Sequence, residues 1–213
     1  MKTIGLIGGT GWVSTQEYYK IINEKVNEQL GGLQFPHIIL YSVNYGKIAA
    51  CNKNNDPDGV YRIIKKGAET LITAGVDFLA LCANTIHFTY NQLSNEIDRP
   101  FVHIADATGA KIKEKSLKKV GLLGTRQTME MDFYKERLAG MEIEVVTPEK
   151  KEREFIHTAI MEELLKEQFL PETRKAFITI MDKLKAKGAE GVILGCTEIP
   201  LLIKQDDYLG NHF

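Results

Sequence analysis

Three cysteines stand at positions 51, 82 and 196 of a 213-residue chain. A free thiol either packs as a small apolar group or, once ionised, acts as a base or nucleophile. Two of the three share a context. Phe78-Leu79-Ala80-Leu81-Cys82-Ala83-Asn84-Thr85 and Val192-Ile193-Leu194-Gly195-Cys196-Thr197-Glu198-Ile199-Pro200 each run from an apolar stretch through a cysteine into threonine and a helix-forming segment. Both thiols therefore read as sitting at strand-to-helix junctions, where a helix N-terminus lowers a thiol's pKa. Two such thiols facing each other suit racemisation. One, as thiolate, removes a proton from a stereocentre, and the other, as thiol, delivers one to the opposite face. A single free cysteine is more often a core residue, but a matched pair at equivalent strand ends favours chemistry. Cys51, in Ala49-Ala50-Cys51-Asn52-Lys53, has no such context and reads as structural or incidental.

The residues around the pair suit a small anionic or zwitterionic ligand. Asn84, Thr85 and Thr197 can offer donors to a carboxylate. Thr125 follows an apolar run beside Arg126, with Thr128 close by. The loop Gly8-Gly9-Thr10-Gly11-Trp12 allows close backbone approach to a ligand and equally makes a tight turn. His87, five residues after Cys82, could polarise the thiol or the substrate, or be a satisfied structural histidine. Other chemistries fit poorly. Gly5-x-x-Gly8-Gly9-x-Gly11 is not a dinucleotide fingerprint, and no phosphate-loop Gly-Lys-Ser/Thr occurs. His37, His87, His103, His157 and His212 are scattered without ligand spacing, so no metal site is expected. No Ser-His-Asp set is evident.

The elements that must position these residues are strands alternating with helices. Thr3–Gly8, His37–Val43, Asp77–Cys82, Phe101–Ile104, Lys119–Gly124, Glu142–Val146 and Gly191–Gly195 read as strands. Their near-continuous apolar character marks parallel strands covered on both faces. Ser14 and Glu17 form a capping-box pattern ahead of a face of Tyr18, Ile22, Val26 and Leu30. Asp58 and Thr128 read as caps of two further helices, the second stopping at Gly140. A last long helix is expected from about Glu172 to Lys187, before Gly188. Asp77 and Glu190 occupy matching places before two strands and read as surface caps or pairs. The fold class is α/β with parallel sheets.

The chain also echoes itself. Lys2-Thr3-Ile4-Gly5-Leu6-Ile7-Gly8 resembles Lys119-Val120-Gly121-Leu122-Leu123-Gly124, and the two cysteine segments form a second pair. The offset is 116 residues from Gly5 to Gly121 and 114 from Cys82 to Cys196. Near-constant spacing implies two similar doubly wound domains, residues 1–105 and 106–213, related by a pseudo-two-fold with the active site in the cleft between them.

Composition narrows the class. Lys and Arg total 27 against 28 Asp and Glu, a net charge of −1, which argues against binding nucleic acid by bulk electrostatics. Hydrophobic residues at 44% suffice for a core. No apolar stretch of about 18 residues is present, so no membrane span is expected. An odd cysteine count without paired spacing, and an N-terminus that reads as a first strand, point to a reducing cytoplasm.

Leu81-Cys82-Ala83-Asn84-Thr85-Ile86-His87 and Ile193-Leu194-Gly195-Cys196-Thr197-Glu198-Ile199-Pro200 resemble the two signature segments of the aspartate/glutamate racemase family. Thr3-Ile4-Gly5-Leu6-Ile7-Gly8-Gly9-Thr10-Gly11 and Val120-Gly121-Leu122-Leu123-Gly124-Thr125 resemble its two domain-opening segments. The resemblance covers essentially the whole chain. It implies a cofactor-independent racemase of free amino acids, cytoplasmic and homodimeric, with Cys82 and Cys196 catalytic. It carries over Thr10, Asn84, Thr85 and Thr197 as substrate contacts, with Glu198 beside them. Tyr41-Ser42-Val43-Asn44-Tyr45 and Gly124-Thr125-Arg126-Gln127-Thr128-Met129-Glu130 look more like the broad-specificity amino-acid racemase branch. Asn44 and Thr125 complete the expected substrate-binding set. Aspartate-specific members carry an Arg after the second strand and a Lys on the helix after the sixth. Here those stretches read Asn44-Tyr45-Gly46-Lys47-Ile48 and Met161-Glu162-Glu163-Leu164-Leu165-Lys166, so strict aspartate specificity is not implied. The family's closing Asp-Thr segment and final helix, expected to return to the first domain, do not follow Asn211-His212-Phe213, and the C-terminal end reads as truncated. The alternatives are a maleate-type isomerase or decarboxylase of the same superfamily, or a catalytically impaired amino-acid-binding relative.

Overall fold

The computed structural model describes residues 1–204, 207 and 211–213. The chain divides into two compact units, Met1–His103 and Ile104–Phe213. The first contains β1 (Thr3–Gly8), α1 (Trp12–Leu30), β2 (His37–Ser42), α2 (Tyr45–Lys53), α3 (Pro57–Thr73), β3 (Phe78–Leu81), a 3-10 turn at Thr85–Thr89, α4 (Tyr90–Glu96) and β4 (Phe101–Val102). The second contains α5 (Ile104–Glu114), β5 (Lys119–Gly124), α6 (Arg126–Glu130), α7 (Asp132–Ala139), β6 (Glu144–Val146), α8 (Lys150–Glu162), a 3-10 turn at Leu164–Lys166, α9 (Pro171–Ala186), β7 (Gly191–Gly195), α10 (Ile199–Leu202) and β8 (Asn211–His212).

Each unit holds a four-stranded parallel sheet, ordered β2-β1-β3-β4 and β6-β5-β7-β8. The two orders are the same order written twice. β1 and β5 are each flanked by the strand that follows them and by the strand after that. The chain thus leaves the middle of each sheet first to one side and then to the other. That reversal makes a switch point at the carboxyl ends of β1 and β3, and another at those of β5 and β7.

The apolar runs explain the burial. β7 is buried at every residue, β5 at all but Lys119, and β1 from Gly5 to Gly8. Successive side chains point to opposite faces, so the second sheet feeds two cores. Leu123 and Leu194 pack with Ile156, Phe177 and Met181, while Leu122 and Ile193 pack with Tyr134, Leu138 and Ile112. In the first unit Ile7, Leu79 and Leu81 pack with Val60, Ile64 and Leu71 of α3. β2, at the sheet edge, alternates toward solvent.

Several local expectations are corrected. α1 starts at Trp12 with Gly11 as N-cap and no side-chain cap, so Ser14 and Glu17 lie inside the helix and form no capping box. The α3 cap is Asp56, whose carboxylate accepts from Gly59 N at 2.7 Å, because Pro57 takes the first helical position; Asp58 lies in the first turn. Thr125, not Thr128, caps α6, and Thr128 is fully buried within it. β6 starts at Glu144 because Glu142 adopts a left-handed φ of 61° in the preceding turn. β2, β3 and β4 stop short of Val43, Cys82 and Ile104.

Asp77 and Glu190 play matching parts. Thr3 N donates to Asp77 Oδ2 at 2.6 Å, and Lys118 N and Lys119 N donate to Glu190 Oε2 at 2.6 and 3.0 Å. Each carboxylate, placed just before β3 or β7, ties the start of that strand to the start of β1 or β5. Among the described residues no helix is long and apolar enough to cross a membrane.

Candidate active site

Thr10 follows β1 and Cys82 follows β3, so both stand at the first switch point. Thr125 and Cys196 stand in the same relation to β5 and β7 at the second. The chain brings these residues to the ligand end of each sheet because the apolar strands must be parallel and the connections must cross over.

At the first switch point Cys82 is 0% exposed. Its backbone N–H donates to Ile7 O at 2.9 Å, and its carbonyl accepts from Ser14 Oγ at 2.7 Å. Gly9 has a left-handed φ of 87°, and a Cβ there would press on Ser42 Oγ at 2.6 Å and on the Val43 backbone. Glycine is thus required where the β1–α1 loop passes the end of β2. Thr15 holds the same loop: its Oγ1 accepts from Gly9 N at 2.9 Å and lies 3.1 Å from Gly11 O as a donor. Thr10 Oγ1 and Asn84 Oδ1 are buried with no hydrogen-bond partner among the described residues. A buried polar atom left unpaired costs about 1–3 kcal/mol, and these two follow the adjacent strands β1 and β3 at the same end of the sheet. Thr85, half-buried, opens the 3-10 turn.

His87 is brought close to Cys82 but does not address its sulfur. It is 1% exposed, and its Nδ1 lies 2.8 Å from Ala83 O. A carbonyl only accepts, so Nδ1 carries the proton. The His87 ring packs edge-on against that of His103 at 4.7 Å, and His103 against Tyr90 at 4.6 Å. Two histidines that look scattered in sequence are thus neighbours. Among the described residues no group of three or more His, Cys, Asp or Glu could hold a metal ion.

At the second switch point Cys196 is half-buried, and its Sγ donates to Glu198 Oε2 at 2.9 Å. Thr197 Oγ1 donates to the same oxygen at 3.0 Å. Glu198 is 4% exposed. Thr125 Oγ1 lies 3.1 Å from Thr128 Oγ1 and accepts from Thr128 N at 3.4 Å. Asn44 stands at the end of β2, where its Oδ1 accepts from Gly46 N at 2.9 Å and caps α2. Cys51 packs against the first core beside α3.

The thiols' acidity runs against the helix-terminus expectation. Burial pushes the Cys82 thiol up to about 12. Burial, joined by the negative charge of Glu198, raises Cys196 well above the ordinary thiol value. The segments after the two cysteines are a five-residue 3-10 turn and a four-residue helix, too short to carry much dipole. Desolvation therefore dominates. Both thiols are protonated at neutral pH, and Cys196 has a carboxylate placed to take its proton.

Sequence reasoning missed Ser14, which matched a capping template although its partner lies 68 residues away. The adjacent hydroxyl pair Ser14-Thr15, directly after a Gly-rich loop, was the available signal.

The Asp/Glu/Hydantoin racemase family model matches residues 7–209. The broad specificity amino-acid racemase RacX of Bacillus subtilis (strain 168) is 26% identical over 199 residues, covering 92% of this chain and 85% of that protein. A crystal structure of a Yersinia pestis protein, provisionally described as an Asp/Glu racemase, is 41% identical, with a TM-score of 0.93 over 100% of this chain and 93% of that one. An aspartate racemase homologue from Pyrococcus horikoshii OT3 is 36% identical, with a TM-score of 0.86 and the same coverage. A family match over nearly the whole length means that this chain belongs to the Asp/Glu/hydantoin racemase family.

Proposed function

We propose that the chain is an amino-acid racemase that inverts the α-carbon of a free amino acid with Cys82 and Cys196 as the two acid–base groups. The observation that carries this reading is the equivalence of the two thiols. Cys82 stands one residue past β3 and Cys196 one residue past β7, the third strands of the same four-strand order. A reaction that protonates either face of one carbon needs two like groups in like places.

The reaction closes with protons alone. One sulfur, as thiolate, takes the α-proton; the electron pair stays on the carbon and its carboxylate. The other sulfur, as thiol, gives its proton to the opposite face and becomes thiolate. After turnover the two sulfurs have exchanged states, and the reverse reaction uses them in the opposite order. Because both thiols are protonated in the unliganded protein, one must first lose a proton. Glu198 is the acceptor for Cys196, and Thr197 steadies the carboxylate oxygen that receives the proton. Thr10 and Asn84, whose buried oxygens have no partner among the described residues, and Thr85 and Thr125 at the strand ends would hold the amino and carboxylate groups.

We infer a substrate set that includes aspartate or glutamate and reaches beyond them. Asn44 is occupied as a cap, and Lys166 is ion-paired with Glu162 at 2.6 Å. Neither stands ready as a dedicated partner for a side-chain carboxylate. A homodimer is part of the same reading. α1 buries only Ser14 and Thr15 and exposes Trp12, Tyr19, Ile21 and Leu30, apolar surface that a second copy could cover. Analytical ultracentrifugation at micromolar concentration should give twice the chain mass.

Chiral chromatography of the purified protein with the L- and D-forms of aspartate, glutamate and neutral and basic amino acids tests the activity. Interconversion of at least one pair is expected. Binding of amino acids without interconversion of any pair would instead identify an inactive binding relative.

A further inference from the structure

The loop that carries Cys82 is held by its backbone. Cys82 O accepts from Ser14 Oγ at 2.7 Å, Ala83 O accepts from His87 Nδ1 at 2.8 Å, and Asn84 O accepts from His87 N at 3.0 Å. Three successive carbonyls are therefore satisfied by two residues. Both side chains are buried, Ser14 at 3% and His87 at 1% exposed. Neither hydroxyl nor ring bonds the sulfur, which leaves the thiol's protons to the reaction.

Ser14 has a second peculiarity. In the 19-residue α1 the only buried residues are Ser14 and its neighbour Thr15. The helix is seated at this end through hydroxyls. Thr15 grips the loop bearing Thr10, and Ser14 grips the loop bearing Cys82. The His87 ring in turn packs edge-on against His103, which itself packs edge-on against Tyr90.

We infer that Ser14 and His87 are positioning residues for Cys82, acting through the carbonyls of residues 82–84 to hold the thiol and Asn84 in one register. The inference rests on the proposed proton-transfer role of Cys82. A base must sit within a few tenths of an ångström of its proton's path, and a displacement of about 1 Å at the reacting centre can cost about 100-fold in rate.

The test uses Ser14→Ala, His87→Leu and His87→Asn in the full chain. Asparagine places an amide N–H close to where histidine places Nδ1–H, and leucine does not. Ser14→Ala and His87→Leu should lower kcat about 10- to 100-fold and raise KM by less, about two- to fivefold, as Asn84 shifts with the loop, and His87→Asn should recover most of the loss. A second readout does not need activity. Native alkylation by iodoacetamide at pH 9, resolved by peptide mass spectrometry, should accelerate several-fold at Cys82 in Ser14→Ala and His87→Leu while the Cys196 rate stays constant. If both variants keep kcat within twofold, or if alkylation rises equally at both cysteines, the positioning role is overturned. If the unaltered protein interconverts no amino acid, the proposed function fails, and the Cys82-selective change in alkylation decides the positioning role alone.

Discussion

The Cys82 and Cys196 ends share a sheet position and differ in their chemistry. Two residues beyond Cys82 stands Asn84, neutral, with a buried oxygen that has no partner among the described residues. Two residues beyond Cys196 stands Glu198, buried and bonded to the thiol itself. Cys82 is silenced by burial alone, whereas Cys196 has both an added electrostatic penalty and an acceptor for its proton. Duplicated architecture thus supplies two like sulfurs, and local sequence makes them unequal. At the first end Ser14 and His87 bond the carbonyls of residues 82–84, and Thr10 Oγ1 and Asn84 Oδ1 have no partner among the described residues. The second carries its own proton acceptor.

The largest expected effect breaks the pair. Cys82→Ala or Cys196→Ala should each lower racemisation by about 10²- to 10⁴-fold, the usual contribution of a positioned acid or base. Cys51→Ala should leave the rate within twofold, as read by chiral chromatography. Equal losses in all three variants would remove the distinction between the pair and the third cysteine.

The asymmetry itself is addressed by Glu198→Gln. Removing the carboxylate charge should lower the Cys196 pKa, because a like charge beside the thiolate is gone. Alkylation at pH 8 should then accelerate at Cys196 and not at Cys82. Turnover should nevertheless fall about tenfold or more, because the proton acceptor is lost. Faster alkylation with unchanged turnover would show that Glu198 only raises the thiol's pKa.

The two sheets allow a matched comparison of packing. Gly5 in β1 and Gly121 in β5 face side chains so closely that an added Cβ would stand 2.8 Å from Leu79 Cδ2 and 2.8 Å from Leu184 Cδ1 respectively. Gly5→Ala and Gly121→Ala should each destabilise by about 1–3 kcal/mol, the cost of overpacking a filled core. Urea unfolding of the two variants measures this. A loss in only one would mean that the sheets, alike in strand order, differ in how firmly they are packed.

The smallest effect is a pH dependence of stability. Below about pH 9 the Cys82 thiol is protonated in both the folded and the unfolded chain and contributes no slope. Above that, the unfolded thiol ionises while the folded one keeps its proton up to about 12, so stability falls as pH rises between the two values. Thermal melts from pH 8 to 10.5 should decline less steeply for Cys82→Ala than for the unaltered chain. Parallel declines would mean that the folded thiol ionises as easily as the unfolded one.

Much of this was legible in the sequence, for physical reasons that differ by residue. The apolar runs Thr3–Gly8, Lys119–Gly124 and Gly191–Gly195 became strands with those bounds, because a parallel strand covered on both faces is apolar through its interior and polar, where at all, only at its first residue. The echo between the cysteine segments reports the repeated strand order. Local capping patterns failed where a tertiary partner or an adjacent residue took the position. Ser14 matches a capping box but bonds the Cys82 carbonyl, and Pro57 makes Asp56 the cap in place of Asp58. The thiols' pKa direction was misread because a cysteine-to-helix junction reveals neither the length of the helix nor the depth of burial. His87 could be singled out by its distance from Cys82, but its partner Ala83 O and its stack with His103 exist only once the chain has folded.

The central claim is that two different sulfurs serve the two faces of one α-carbon. Proton NMR in heavy water during the first turnovers, started separately from the L- and the D-form of a substrate, tests it most directly. Two-base transfer requires the product enantiomer to carry deuterium at Cα from the outset, while the unreacted enantiomer keeps its proton, in both directions. Product formed with its original proton, or early loss of the proton from unreacted substrate, would contradict it.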